Sequence, residues 1–210
     1  MTKDLKEHLI RCEKAIQSIK PILGQHGFPA ESRNLTVIGF ISWLIEHHEA
    51  ILLLTTHDMP GSATALLRPV VEGSYRALWI NLPATDTEVK IFTEKDKIDL
   101  NFGEIATALD GAYGTAGFFQ GLKDRTWKHL NSYTHGGMLQ IGRRFTKNEV
   151  ANNYTDDEIY EMTTTATTII LLTVSSFLKR NGHTDSGETI QGFLETYGPL
   201  ADGSSEQAQS

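Results

Sequence analysis

Two stretches of this 210-residue chain collect residue types that handle anions and protons. The first holds Arg68, Glu72 and Arg76, spaced so that on a helix both arginines come within reach of the carboxylate. With about 100° of rotation per residue, Arg68, Glu72, Tyr75, Arg76 and Trp79 fall in one arc, while Leu67, Val70, Val71, Ser74 and Leu78 lie elsewhere. Two guanidinium groups oriented by a carboxylate make an anion site, because arginine offers fixed bidentate donors to phosphate. The same spacing suits an ordinary ion-pair ladder at an interface, and both readings stand at this point.

The second stretch, Lys123 to Lys147, carries six cations (Lys123, Arg125, Lys128, Arg143, Arg144 and Lys147) against one acid, Asp124. On a helix Lys128, Asn131, Ser132 and His135 share a face, whereas Trp127, Leu130 and Thr134 turn toward a core. Gly136-Gly137 then stops the helix. A histidine titrating near neutral pH moves protons, a neighbouring amide or hydroxyl fixes its tautomer, and glycines let a substrate approach the backbone. Basic Lys128, Arg143 and Arg144 would hold phosphate, and Tyr133 or Trp127 would stack on a base. The alternative is that His135 only caps its own helix, where a cation is favourable.

Other chemistry is poorly represented. Glu46, His47, His48, Glu49 and His57 are legitimate metal-ligand types, but adjacent histidines on a helix diverge by about 100°. His48 and His57 are half a turn out of phase, so no metal is expected. There is no phosphate loop ending in Lys-Ser/Thr, no dinucleotide fingerprint and no Gly-x-Ser-x-Gly elbow, and no cofactor is expected.

The elements that must position these groups read as helices throughout. Asp4 to Ile22 is amphipathic and ends near Pro21 and Gly24; Leu35 to Asp58 is apolar nearly all round and should be central. Ala63 to Leu82 is helical with Pro69 inside it, removing one backbone bond and kinking the run. Thr85 to Leu109 opens on a Thr-Asp-Thr-Glu capping cluster and has room for a break at Gly103. Glycines between Asp110 and Gly121 suggest an irregular connector before a short helix from Lys123 to His135. Thr155-Asp156 starts a long helix to Arg180, although the β-branched stretch Thr163 to Val174 also fits a strand. Ser186 to Tyr197 adds a small helix. The expectation is an all-α, single-domain bundle of about six helices over residues 1–200, with a disordered tail at 201–210.

Composition bounds the rest. Hydrophobic residues make up 40% and charged residues 21%, ordinary for a globular domain, and the net charge of −7 disfavours indiscriminate binding to nucleic acid or acidic membranes. The single cysteine, Cys12, excludes an internal disulfide and suits a reducing compartment. The first residues lack the basic-then-apolar pattern of a signal peptide. Leu35 to Leu54 is interrupted by Glu46-His-His-Glu49, and Ile169 to Leu178 is too short for a bilayer of about 30 Å. A cytoplasmic protein without membrane contact is expected.

Leu66-Leu-Arg-Pro-Val-Val-Glu-Gly-Ser-Tyr-Arg-Ala-Leu-Trp79, followed by Leu130-Asn-Ser-Tyr-Thr-His-Gly-Gly137, resembles an uncharacterised family of bacterial helical proteins that is itself similar to the HEPN superfamily. In HEPN ribonucleases an Arg, commonly followed by a polar residue, precedes a His by four to six positions, and the pair cuts RNA without metal, usually across a dimer. Asn131 and His135 resemble the later part of that motif, but Leu130 stands where the Arg would be. The resemblance therefore implies a HEPN-like fold and a metal-independent ribonuclease, in toxin or phage-defence biology, provided Arg68 or Arg76 supplies the missing cation. It also implies RNA as substrate, a homodimer and a protein partner such as an antitoxin. The other reading is a non-catalytic helical module that binds a protein partner or small ligand.

Overall fold

Pro21 lacks the N–H that would bond the carbonyl of Gln17, and its ring crowds that carbonyl, so the first amphipathic run divides. In the computed structural model, which describes residues 1–147 and 149–197, this run forms α1 (Lys3–Gln17) and α2 (Ile19–Gly24). Ser18 marks the division, donating its hydroxyl to the Ala15 carbonyl at 2.7 Å. After these come α3 (Ser32–Thr56), α4 (Pro60–Asn81), α5 (Asp86–Lys95), α6 (Phe102–Tyr113), α7 (Phe118–Thr134), α8 (Met138–Gly142), α9 (Asp156–Arg180) and α10 (Thr184–Tyr197). Among the described residues there is no strand, only an isolated bridge between Phe145 and Val150.

Helices α3, α4 and α9 pack on one another and carry the core, including Ile41, Leu44, Val70, Tyr75, Leu78, Ile170 and Phe177. At the α3–α4 crossing a Cβ on Gly73 would come within 2.3 Å of the Trp43 ring, so glycine sets how closely these two helices approach. Tyr75 and Trp79, which share the helical arc of the Arg68 ladder, are buried at 0% and 3% exposure and belong to the core. Helices α1 and α10 cover α9, while α6 and α7 cover α4.

The bundle has more helices than the six expected, and the boundaries differ for identifiable reasons. The run from Thr85 is broken at residues 96–101 rather than at Gly103: Asp96 takes a left-handed conformation that ends α5, and the Asn101 side chain accepts from the backbone N–H groups of Gly103 and Glu104 to start α6. The expected irregular connector shrinks to the turn between α6 and α7. Asp110, in the last turn of α6, accepts from Thr115 Oγ1 and from the backbone N–H groups of Phe119 and Gln120, so α7 begins at Phe118 rather than Lys123. Thr163 to Val174 lies within α9, not in a strand. Thr163, Thr167 and Thr173 each donate to the carbonyl four residues back, which satisfies their hydroxyls inside the helix. The capping cluster at Thr85 forms as read and α9 starts after Thr155 as read, each threonine joined by a glutamate three residues on.

Helices α3 and α9 are long and apolar enough to cross a bilayer, and α9 is the more deeply enclosed of the two. The tail expected at 201–210 lies outside the described residues.

Candidate functional site

Proline at position 69 removes the N–H that would otherwise bond the carbonyl of Ala65, leaving an acceptor without its helical partner. Thr134, at the end of α7, donates its hydroxyl to that carbonyl at 3.2 Å. Four residues before Ala65 on α4, Gly61 lends its carbonyl to Gln140 Nε2 of α8 at 2.8 Å. The α7–α8 corner is thus fastened to α4 through backbone acceptors. The corner itself is a helix C-cap: Gly136 takes the left-handed conformation at φ 65°, and the Gly137 N–H bonds the Ser132 carbonyl at 2.7 Å. His135, the C-cap residue, is carried to Arg68.

The two distant stretches therefore meet. Arg68 Nη1 donates to His135 Nε2, so the ring carries its own proton on Nδ1 in this arrangement. Behind the contact, the Arg68 guanidinium lies 5.0 Å from the centre of the Trp127 ring, and Trp127 stacks on Phe102 at 4.0 Å, which stacks in turn on Tyr75 at 4.7 Å. An aromatic column thus supports the cation from the core side. Glu72 bonds Arg76 Nη2 at 2.7 Å and stands 3.7 Å from Arg68 Nε, too far for a hydrogen bond. Arg68 Nε is buried without a hydrogen-bond partner, and so is Asn131 Oδ1, one helical turn before His135.

The remaining basic and aromatic candidates divide. Lys128 is exposed on the His135 face of α7. Tyr133 turns to the opposite side, where its ring lies 6.5 Å from that of Tyr154. Arg143 is on that side too, paired with Glu158 and 5.7 Å from the centre of the Tyr154 ring. Arg144 donates to Asn152 Oδ1 at 2.7 Å and packs by Gly61. These arginines thus hold the segment between α8 and α9 in place rather than joining Arg68. Sequence reading missed the Thr134–Ala65 fastening; its signal was Pro69, whose missing donor implies an orphaned acceptor four residues earlier.

Among the described residues no three His, Cys, Asp or Glu side chains are grouped to hold a metal ion. His48 is buried with Nε2 bonded to Thr167 Oγ1 at 2.8 Å, and burial lowers its pKa to about 4. His47 instead contacts the carbonyl of Trp43 on its own helix.

The fold and site define an all-helical protein with an arginine–histidine pair at an exposed helix end, backed by aromatic rings and an acidic residue. The chain belongs to a family of unknown function, DUF6988, which matches residues 41–198 and so takes in the whole of this site. No curated protein and no solved structure matches the chain.

Proposed function

We propose that the Arg68–His135 pair is the centre of a metal-independent ribonuclease of HEPN-like type, with Arg68 on α4 supplying the cation missing before Asn131. The observation that carries this reading is the meeting of Arg68 and His135 at an exposed edge, with Arg68 Nε and Asn131 Oδ1, one turn before His135, both buried without a hydrogen-bond partner. A phosphodiester supplies acceptors for the guanidinium, and a ribose hydroxyl supplies a donor for the amide oxygen. When Arg68 turns its fork onto the phosphate, His135 Nε2 is released to take the proton of the 2′-hydroxyl. The 2′ oxygen then bonds to phosphorus, the bond from phosphorus to the 5′ oxygen breaks, and a proton reaches that oxygen from water or a second acid. The products are a 2′,3′-cyclic phosphate and a 5′-hydroxyl end. Glu72 orients Arg76 and limits the travel of Arg68, while Lys128 follows the backbone of the strand. A homodimer would place two such edges side by side, and the setting would be toxin or phage-defence biology.

The test incubates purified protein with total RNA in EDTA beside His135→Ala and Arg68→Ala. Cleavage by the wild type that falls about 100-fold or more in His135→Ala is expected. Absence of cleavage by the wild type, or equal cleavage by wild type and His135→Ala, overturns the assignment.

A further inference from the structure

On the other side of α7 from His135 lies a groove of about 700 Å³ that the proposed chemistry does not use. Helices α7 and α9 both pack on α4 without substantial contact with each other, and the groove is the gap between them. Its floor is aliphatic: Leu67 from α4, Leu130 from α7, and Met162 and Ile169 from α9. On the α9 wall Glu158, Glu161, Thr165, Thr168 and Leu172 recur in steps of three and four, one face of a helix. At about 1.5 Å per residue that wall runs roughly 21 Å, the length of about fourteen helical residues.

The two walls differ in charge. The α7 wall presents Arg125 and His129, four residues apart and both exposed, whereas the α9 wall presents Glu161, also exposed. Arg143 and Glu158, near the end closed by Tyr133 and Tyr154, neutralise each other. Neither Arg125 nor Glu161 has an ion-pair partner among the described residues. An apolar trough bounded by a basic rim and an acidic rim is complementary to one kind of occupant. That occupant is a helix with a single apolar stripe, acidic residues along one edge and basic residues along the other.

We propose that the α7–α9 groove binds such an amphipathic helix from a protein partner, completing a position that the bundle leaves open. The inference is independent of the ribonuclease reading, because neither Arg68 nor His135 lines the groove.

Two fluorescently labelled fourteen-residue peptides, each with a leucine stripe, test it against the full chain by anisotropy. One has glutamate on one edge and lysine on the other; its companion has lysine on both. The wild type should bind the segregated peptide at least ten-fold more tightly. Arg125→Glu makes both rims acidic and should reverse the preference, while circular dichroism shows the fold unchanged. Equal affinity for the two peptides, no binding of either, or a preference unmoved by Arg125→Glu would overturn the proposal. So would sedimentation showing that a second copy of this chain fills the groove, detected as self-association abolished by Leu172→Arg.

Discussion

Replacing Thr134 by valine keeps the shape of the side chain and deletes the hydroxyl that bonds the Ala65 carbonyl. Ala65 is half-buried, and a hydrogen bond of this kind contributes about 1 kcal/mol net, so Thr134→Val should lower unfolding free energy by roughly that amount. The bond also depends on position 69, because the carbonyl is free only where Pro69 withholds an N–H. Pro69→Ala restores the donor and lets Ala65 bond within its own helix. In that background Thr134→Val should cost only a few tenths of a kcal/mol, giving a coupling of about 0.5–1 kcal/mol between side chains that need not touch. Urea unfolding of the four proteins, followed by helical circular dichroism, measures this directly. If Thr134→Val costs the same with proline or alanine at position 69, the fastening of α7 to α4 does not arise from the proline, and the account of how His135 reaches Arg68 fails.

Other outcomes follow from the same structure. His48 has its folded pKa lowered to about 4 from 6.5 by burial, so between those values the unfolded chain binds more protons. Stability should therefore be full above about pH 6.5 and fall as pH drops toward 4, by roughly 3 kcal/mol from this group. His48→Gln, whose amide nitrogen can still reach Thr167, should flatten that part of the stability–pH curve; an unchanged slope would assign the loss elsewhere. Burial tends to raise the Asp110 carboxyl, but hydrogen bonds from Thr115, Gln120 and Phe119 outweigh it and hold the pKa below the ordinary value. Asp110→Ala should cost about 1–2 kcal/mol at pH 7, measured by denaturant unfolding. The wild type should lose that contribution as pH falls through the lowered carboxyl pKa, and a wild-type curve parallel to that of Asp110→Ala in this range would count against it. Gly73→Ala forces a methyl against the Trp43 ring and should cost about 1–3 kcal/mol, with a change in tryptophan fluorescence. A neutral substitution would show that α3 and α4 can separate freely.

How much of this was legible in the residues depends on whether the deciding interaction is local. Capping boxes at Thr85 and Thr155 and the Gly136 stop could be read because each signal lies within one turn of the element it ends. The Arg68, Glu72 and Arg76 ladder could be read for the same reason. The start of α7 could not, because its cap is Asp110, nine residues before Phe119, in a stretch whose glycines suggest disorder of the backbone. Arg143 and Arg144 share a sign with the Lys128 face, yet Glu158 and Asn152 draw them away, and nothing near them in sequence announces those partners. The threonines of α9 favour a strand when taken alone; in place, their hydroxyls find acceptors in the preceding turn and the preference loses its force.

Those threonines also explain how an apolar helix can be told where to sit. Thr163 accepts from His8 of α1 and Thr167 from His48 of α3, at 3.0 and 2.8 Å, with all four side chains buried. Leucine and isoleucine surfaces tolerate sliding past one another, since each new position buries much the same area. An imidazole does not, because a shift of one turn would leave its N–H facing hydrocarbon. Thus α9 works as a keyed shaft whose two notches admit α1 and α3 in one alignment only, and the alignment of α3 in turn decides where α4 presents Arg68.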